Sequence, residues 1–245
     1  AVMEMSAASG LPLLLPDELN PWITSTYGTG EMISDALNRG CRKFLVGIGG
    51  SATNDAGTGM LSALGVRFLD SRGQRLKGCG RDLESIARID MSSLMPAARE
   101  SEFIVACDVN TPFCGPDGAA RVFAPQKGAN PQTTEALDRG MRSFAQVIAG
   151  QFQTDIVPLS GAGAAGGLGG AFKAFLNARL TAGIEMVLDA IAFDSLLEGA
   201  DLVITGEGRI DAQTAAGKTA AGVLRHAARK GIPVIAIGGS VAMCR

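Results

Sequence analysis

The chain has 245 residues, of which 47% are hydrophobic and 19% are charged, and its formal net charge is -2. This length can bury a substantial core, in one large α/β domain or in two smaller ones. The net charge is close to zero and the sequence has no cluster of basic residues, which excludes the basic surface expected of a nucleic-acid-binding protein. Because no apolar stretch reaches the roughly 18 residues that a spanning helix needs, we expect no membrane partner.

Cysteine and histidine are too few and too poorly spaced to form a metal site. The five cysteines include no Cys-x-x-Cys pair, and the sequence has one histidine, His226. An odd number of thiols without such spacing fits a reducing compartment. The first residues, AVMEMSAASGLPLLLPDELN, have no basic segment before their apolar part and do not resemble a secretory signal. The sequence therefore predicts a cytoplasmic protein.

The first half of the chain alternates predicted strands and helices. The helix pattern places Met32, Ile33, Ala36 and Leu37 on one face and ends at Gly40, a favoured stop residue. In chain order we predict a strand in AVMEM, a helix at 31–40, a strand at 43–48, a helix at 54–65 and a strand at 66–70. This alternation predicts an α/β fold.

The second half continues the alternation. Asn130 and Pro131 form an N-cap and first-turn pair at the start of a long helix. The predicted elements are a short helix at 81–90, a strand at 102–108, a helix at 131–149, a loop at 160–167 that becomes a helix near residue 168, a strand and glycine loop at 201–211, a helix at 220–231 and a strand ending in a glycine turn at 232–240. A parallel sheet needs helices on both faces, so an ending just past a strand indicates a fragment.

The glycine-rich stretch GIGGSATNDAGTGM follows a predicted strand and is compatible with two ligands. Backbone N–H groups in such a turn can bind an anion, with phosphate the first to consider. Gly47, Gly49 and Ala52 also fit the G-x-G-x-x-A dinucleotide fingerprint, and Asp70 stands where the ribose carboxylate belongs. Because the spacing recurs in GAGAAG at 161–166, the fingerprint is weak evidence, and an NAD-dependent oxidoreductase is kept as the alternative.

Polar residues within this stretch strengthen the anion interpretation. Ser51, Thr53, Asn54 and Asp55 add hydroxyl, amide and carboxylate groups where a helix begins. Asn54 or Asp55 could instead be a simple N-cap.

Two further groups of polar residues follow predicted strands. Asp108 and Asn110 lie just beyond the carboxyl end of a strand, where open α/β sheets bind ligands and where Mg²⁺ could find oxygen ligands. Glu207, Arg209 and Asp211 follow a later strand and could clamp a carboxylate or a phosphate. An internal ion pair involving Arg209, and a plain loop aspartate at 108, are the alternatives.

Three cations have less specific surroundings. Lys218 lies in AQTAAGKT, which would match a P-loop if Ala212 were glycine, and it could meet a phosphate or be solvated. Lys127, in PQKGA, has the same two alternatives. We expect His226, between Arg225 and Arg229, to be a surface histidine.

Several motifs in this order resemble the bacterial glycerate kinase family. They are GIGGSATNDAGTGMLSALG, ACDVNTPFCGPDGAARVFAPQKGA, GAGAAGGLGGAF and LVITGEGRIDAQTAAGK, with EMSAASGLPLL and STYGTGEMISDALNRG before them. The resemblance implies ATP-dependent phosphorylation of D-glycerate with Mg²⁺ in organic acid breakdown, usually giving 2-phosphoglycerate. It also implies two α/β domains around a cleft, the inserted one at residues 1–195 and part of a split, flavodoxin/Rossmann-like one at 196–245.

The family's first and last portions, including an Asp-Ser-Phe-Lys type motif, are absent, so a non-catalytic ligand-binding remnant is a further alternative. We also consider a homodimer. On the resemblance and the residues together we assign catalysis to Asp108, Lys218 and Arg209. Mg²⁺ could bind Asp108 or Asp211. We assign substrate and nucleotide binding to Gly49, Gly50, Ser51, Asn54, Asp55, Asn110, Glu207 and Asp211.

Overall fold

The computed structural model describes residues 1–210 and 219–242, and its fold is α/β, as predicted. The chain divides into two compact units, Ala1–Leu180 and Thr181–Arg245. This division lies earlier in the chain than the boundary expected between residues 195 and 196.

The main sheet has the strand order β1-β2-β5-β6, and both β1–β2 and β2–β5 pair in parallel. The strands within the described residues are β1 (Val2–Glu4), β2 (Lys43–Gly47), β3 (Arg67–Leu69), β4 (Arg88–Asp90), β5 (Glu102–Ala106), β6 (Arg179–Thr181), β7 (Val203–Ile210) and β8 (Val234–Val241). β3 and β4 form a separate antiparallel pair, and β7 and β8 form a separate parallel pair. The carboxyl ends of β1, β2 and β5 therefore lie at one edge of the sheet.

Helices connect these strands. They are α1 (Ser6–Ser9), α2 (Tyr27–Asn38), α3 (Thr58–Ala63), α4 (Pro96–Arg99), α5 (Ala119–Phe123), α6 (Pro131–Phe152), α7 (Ala164–Leu176), α8 (Gly183–Ala190), α9 (Phe193–Leu196) and α10 (Thr219–Arg229). Short 3-10 helices occur at Leu11–Leu13, Pro16–Glu18, Gly80–Ser85 and Pro125–Lys127.

Aromatic side chains fill the core between the main sheet and its helices. Phe44 of β2 and Phe103 of β5 stack with ring centroids 4.6 Å apart, and Phe172 of α7 packs on Phe103 at 5.8 Å. Ile33 and Leu37, predicted to share one face of α2, are both buried. Because each large apolar side chain contributes about 1.5–3 kcal/mol on burial, this cluster fixes the strands whose ends form the pocket described below.

Helix α6 begins at the predicted cap. The Asn130 side chain accepts a hydrogen bond from the Thr133 N–H at 2.8 Å, with Pro131 in the first turn. The helix runs to Phe152, past the expected end near residue 149, and stops where Gln153 adopts a left-handed φ of 54°.

Left-handed backbone conformations precede two other helices. Ala56 and Gly57 have φ of 52° and 71°, so α3 begins at Thr58 rather than at residue 54. Helix α7 spans Ala164–Leu176, but Ala165, Gly166 and Gly167 have left-handed φ values of 53°, 67° and 93°, so its regular part begins at residue 168, where the sequence predicts it. A Cβ on Gly166 would lie 2.2 Å from the Thr53 carbonyl oxygen, so this close approach requires glycine.

Three predicted elements differ in type. The helix expected at 81–90 is a 3-10 helix followed by β4. The glycine loops expected after residues 205 and 237 are strand, because Gly206 pairs with Ile237 and Glu207 with Gly238 in the β7–β8 ladder. Backbone pairing overrides the usual weakness of glycine in strands here.

The second unit packs three helices around His226, and the prediction of a surface histidine is wrong. Its ring is buried, with Nε2 2.8 Å from Glu185 Oε2 on α8 and Nδ1 2.7 Å from Asp194 Oδ1 on α9. Because carboxylates only accept hydrogen bonds, the doubly protonated imidazolium satisfies both contacts. The hydrogen bond with Glu185 raises the pKa of His226, although burial opposes the shift.

We expect this histidine to make the second unit pH-sensitive. A raised pKa gives stabilisation that is complete below the unfolded value of about 6.5 and lost as pH rises through the folded pKa. Hydrogen bonding to His226 lowers the pKa of Glu185 and Asp194, so their contribution is lost in acid. NMR titration of the single histidine should give a pKa above its ordinary value, and hydrogen-exchange protection of α10 should fall as the ring deprotonates. His226→Gln should abolish that fall, whereas titration at or below the ordinary value would contradict the prediction.

Candidate functional site

A pocket of about 370 Å³ lies at the carboxyl ends of β1, β2 and β5. Glu4 ends β1 and Gly47 ends β2, and Asp108 follows the last residue of β5 by two positions; all three line the pocket. This is the edge at which open α/β sheets bind ligands. The pocket lies wholly within the first unit.

The glycine turn after β2 forms one wall. Gly49 and Gly50 are exposed and line the pocket with Ser51. Within the described residues, the N–H groups of Gly49 and Gly50 donate to no protein acceptor. A Cβ added at Gly49 would meet nothing within 4 Å, so no packing contact requires glycine there. Open N–H groups in a turn are suited to binding an anion.

Lys127 adds a buried amine to the same pocket. It ends the 3-10 helix Pro125–Lys127, and only 2% of its surface is exposed. Its Nζ donates to Ser51 Oγ at 2.7 Å and to the Thr53 carbonyl oxygen at 2.6 Å. Burial lowers the pKa of Lys127 to about 7, although the negative charge of Asp55 acts to raise it. The sequence left open whether this lysine is solvated, and the structure places it in the pocket wall.

Asp55 lies behind the turn and does not line the pocket. It is fully buried, and its carboxylate accepts hydrogen bonds from the Thr26 N–H (2.7 Å) and hydroxyl (2.8 Å) and from the N–H groups of Gly57 (3.0 Å) and Gly59 (3.2 Å). Burial raises the pKa of Asp55, while these hydrogen bonds lower it. The carboxylate therefore joins the start of α2 to the start of α3.

Asn54 is also buried away from the pocket. Its Nδ2 is 3.2 Å from Met141 Sδ, and its Oδ1 has no hydrogen-bond partner among the described residues. Ligand contact by Asn54 or Asp55 stays a prediction, since the structure brings neither to the pocket surface.

The other predicted residues are distributed as follows. Asn110 is exposed and outside the pocket lining, and its Oδ1 accepts a hydrogen bond from Ser160 Oγ at 2.8 Å. Glu207 and Arg209 are on β7 of the second unit, where Glu207 Oε1 accepts a hydrogen bond from the Ala220 N–H at 2.9 Å. Asp211 and Lys218 lie outside the described residues.

Glu4 is a pocket residue that the sequence reasoning did not single out. A signal was available, because AVMEM predicts a strand and Glu4 stands near its end. What the sequence did not indicate is that this strand pairs in parallel with β2, which brings Glu4 beside Gly47.

Asp70 does not occupy the position that a dinucleotide fold requires. β3 pairs antiparallel with β4 and is not a neighbour of β2 in the main sheet. Asp70 Oδ1 instead accepts hydrogen bonds from the Arg72 N–H at 2.9 Å and the Gln74 N–H at 2.8 Å, closing a turn. This geometry does not support the dinucleotide alternative.

Comparison with known proteins identifies the family. The glycerate kinase family model matches residues 1–244, and the chain belongs to this family. It is 49% identical to the glycerate kinase of Halalkalibacterium halodurans and 44% identical to the glycerate 2-kinase of Escherichia coli, in each case over 98% of this chain and 63% of the relative. The chain thus spans about 63% of the length of these relatives.

A solved structure extends the similarity to three dimensions. A crystal structure of a proposed glycerate kinase 2 from Salmonella typhimurium LT2 matches with a TM-score of 0.91 and 45% identity, over 98% of this chain and 67% of that one. The resemblance noted in the motifs is therefore confirmed. Among the described residues, no helix combines the length and apolarity needed to cross a membrane.

We expect Asp55 to be required for stability. Asp55→Asn keeps the shape but places an amide nitrogen among hydrogen-bond donors, so the first unit should lose about 3–5 kcal/mol. Urea unfolding followed by the fluorescence of Trp22, the only tryptophan of the sequence, measures this loss. Asp70→Asn, in a partly exposed turn, is the matched control and should cost less than about 1 kcal/mol. Equal losses for the two variants would contradict the structural role of Asp55.

Proposed function

We propose that this chain forms the acceptor-substrate pocket of an ATP-dependent kinase that phosphorylates D-glycerate. Membership of the glycerate kinase family supports the reaction class. The strand-end pocket carries the assignment to a site, because it combines open N–H groups at Gly49 and Gly50 with the Lys127 amine and the Asp108 carboxylate. A small hydroxy acid needs such donors for its anionic end and an acceptor for the reacting hydroxyl.

Phosphoryl transfer depends mainly on positioning and charge neutralisation. In this proposal, Gly49, Gly50 and Ser51 hold an anionic group of the substrate. Asp108 accepts the proton of the attacking hydroxyl as its oxygen bonds to the γ-phosphorus of ATP and the bond from that phosphorus to the departing ADP oxygen breaks.

Mg²⁺ and ATP are the cofactor and co-substrate implied by the family. Glu4 and Asp108 line one pocket and offer carboxylate oxygens, the donor type that Mg²⁺ prefers, so the residues present fit the ion. A carboxylate bound to Mg²⁺ is a weak base, and we therefore assign the metal to Glu4 and the proton to Asp108. Asp211 is the other metal candidate from the sequence. Bound Mg²⁺ would neutralise phosphate charge.

We assign the nucleotide side to the second unit, with Arg209 and Lys218 as cations and Glu207 and Asp211 as polar contacts. Support comes only from their strand-end position in the sequence and from the family motif. Five further expectations stay predictions: an inserted domain at residues 1–195, a split domain at 196–245, the homodimer, the cytoplasmic location and a role in organic acid catabolism.

The identity of the product tests the proposal that the enzyme forms 2-phosphoglycerate rather than 3-phosphoglycerate. The full-length protein, incubated with D-glycerate, ATP and Mg²⁺, should form 2-phosphoglycerate, which enolase converts directly, whereas 3-phosphoglycerate first needs a mutase. Coupling with and without the mutase separates the two products. NADH binding without glycerate phosphorylation would favour the oxidoreductase, and glycerate or ATP binding without turnover would favour the non-catalytic alternative.

Asp108→Asn tests the proposed base. Removing a general base lowers kcat by about 10²–10⁴-fold, and we expect a loss in this range with little change in unfolding. Asp117→Asn, at an exposed position in the following loop, is the matched control. Turnover by Asp108→Asn within about threefold of the parent would refute the assignment, since a general base typically contributes at least about 10²-fold.

A further inference from the structure

Lys127 is a buried amine without a counter-ion in the part of the chain that the structure describes. Its Nζ contacts a hydroxyl and a carbonyl, Ser51 Oγ and Thr53 O, and no carboxylate of the described residues lies within ion-pair distance of it. A buried ammonium without a paired charge is costly, so such groups are usually neutral or bound to an anion. This lysine also lines the pocket.

We infer that Lys127 binds an oxyanion of the pocket's ligand and takes up a proton from solvent when that anion enters. The ligand class is a carboxylate or phosphate oxygen. Its identity as glycerate rests on the proposed function, but the oxyanion class does not.

Hydrogen-bond capacity supports this inference. An ammonium has three donors, and Ser51 and Thr53 accept two of them. The third can serve a ligand oxygen. The N–H groups of Gly49 and Gly50, which have no acceptor among the described residues, line the same pocket and add donors for a second oxygen. A cation next to two open amides matches the two or three oxygens of a carboxylate or phosphate.

The charges around the pocket explain why a proton should accompany the anion. Glu4 and Asp108 line the pocket, the Cys107 thiol lies beside them, and the Asp55 charge acts on Lys127 from behind the turn. Burial lowers the pKa of Lys127 to about 7, so much of the amine is neutral in mildly alkaline solution. An oxyanion at Nζ favours the charged form and raises this pKa. The amine then gains one solvent proton per anion bound.

Calorimetry on the full-length protein measures the proton directly. Binding of D-glycerate and of inorganic phosphate is titrated in pairs of buffers with different ionisation enthalpies, at pH 6 and pH 8. For D-glycerate we expect uptake close to one proton per ligand at pH 8 and close to none at pH 6; because inorganic phosphate itself titrates between these two pH values, its uptake is compared at pH 8 only, where it is mainly the dianion. Glycerol, which lacks the oxyanion, should bind without uptake. Uptake with glycerate alone identifies the carboxylate as the partner, and uptake with phosphate alone identifies the phosphoryl group.

Variants test whether Lys127 is the proton acceptor. Lys127→Met should weaken binding of the active oxyanion by about 10- to 100-fold, as expected for a lost hydrogen bond to a charged group, and should abolish uptake. Lys77→Met, at an exposed lysine of the same unit, is the matched control and should change neither quantity. If Lys127→Met does not fold, the uptake of the unmodified protein and the ¹⁵N shift of its lysine amines on ligand addition still decide the question.

The inference and the proposed function can fail separately. Bound oxyanion with no proton uptake at pH 8, or unchanged uptake in folded Lys127→Met, overturns the role of Lys127 even if the protein phosphorylates glycerate. Uptake that depends on Lys127 in a protein without kinase activity supports the oxyanion site and overturns the kinase proposal. Binding of neither oxyanion overturns the site.

Discussion

The buried carboxylate of Asp55 is the interaction on which the pocket depends. It accepts hydrogen bonds from Thr26 at the start of α2 and from Gly57 and Gly59 around the start of α3. Each donor offsets part of the desolvation cost of the charge, and together they fix two helices relative to one loop. The glycine turn that faces the pocket belongs to the loop ending at Asp55, so its position is set from behind by a group that does not line the pocket.

Helix α7 holds the same loop from the other side. The Ala56 N–H donates to the Gly166 carbonyl oxygen at 2.9 Å, and the left-handed backbone of Gly166 lets α7 approach the Thr53 carbonyl oxygen closely. The Thr53 carbonyl oxygen also accepts the hydrogen bond from Lys127. One side of this loop is thus held by α7 and Lys127, while its glycines face the pocket. A turn whose position is fixed by packing on the side away from the ligand is preorganised for binding.

Sequence reasoning succeeded where a property is local and failed where it depends on distant residues. Hydrophobic runs located β1, β2, β3, β5, β7 and β8 but not the short strands β4 and β6, and the parallel-sheet rule places Asp108 and Gly49 at one pocket. Asp55 at a helix start suits a cap or a ligand contact equally, and its burial depends on residues near position 26. The sequence alone shows Lys127 as a cation in a loop, because Ser51, which accepts its hydrogen bond, lies 76 positions away. His226 has basic neighbours in sequence, but its carboxylate partners come from two other helices.

The choice of lysine at position 127 follows from its surroundings. An arginine there would be charged at every accessible pH, and its planar guanidinium would need several acceptors in a space that offers Ser51 Oγ and one carbonyl oxygen. A lysine can lose its proton, and the neutral amine still donates to both groups. The fold therefore does not bear the full cost of a buried, unpaired charge before a ligand binds. The same amine can become the counter-ion of an oxyanion, with solvent supplying the proton. A titratable cation at this position thus reconciles deep burial in the wall of a pocket with binding of a charged ligand.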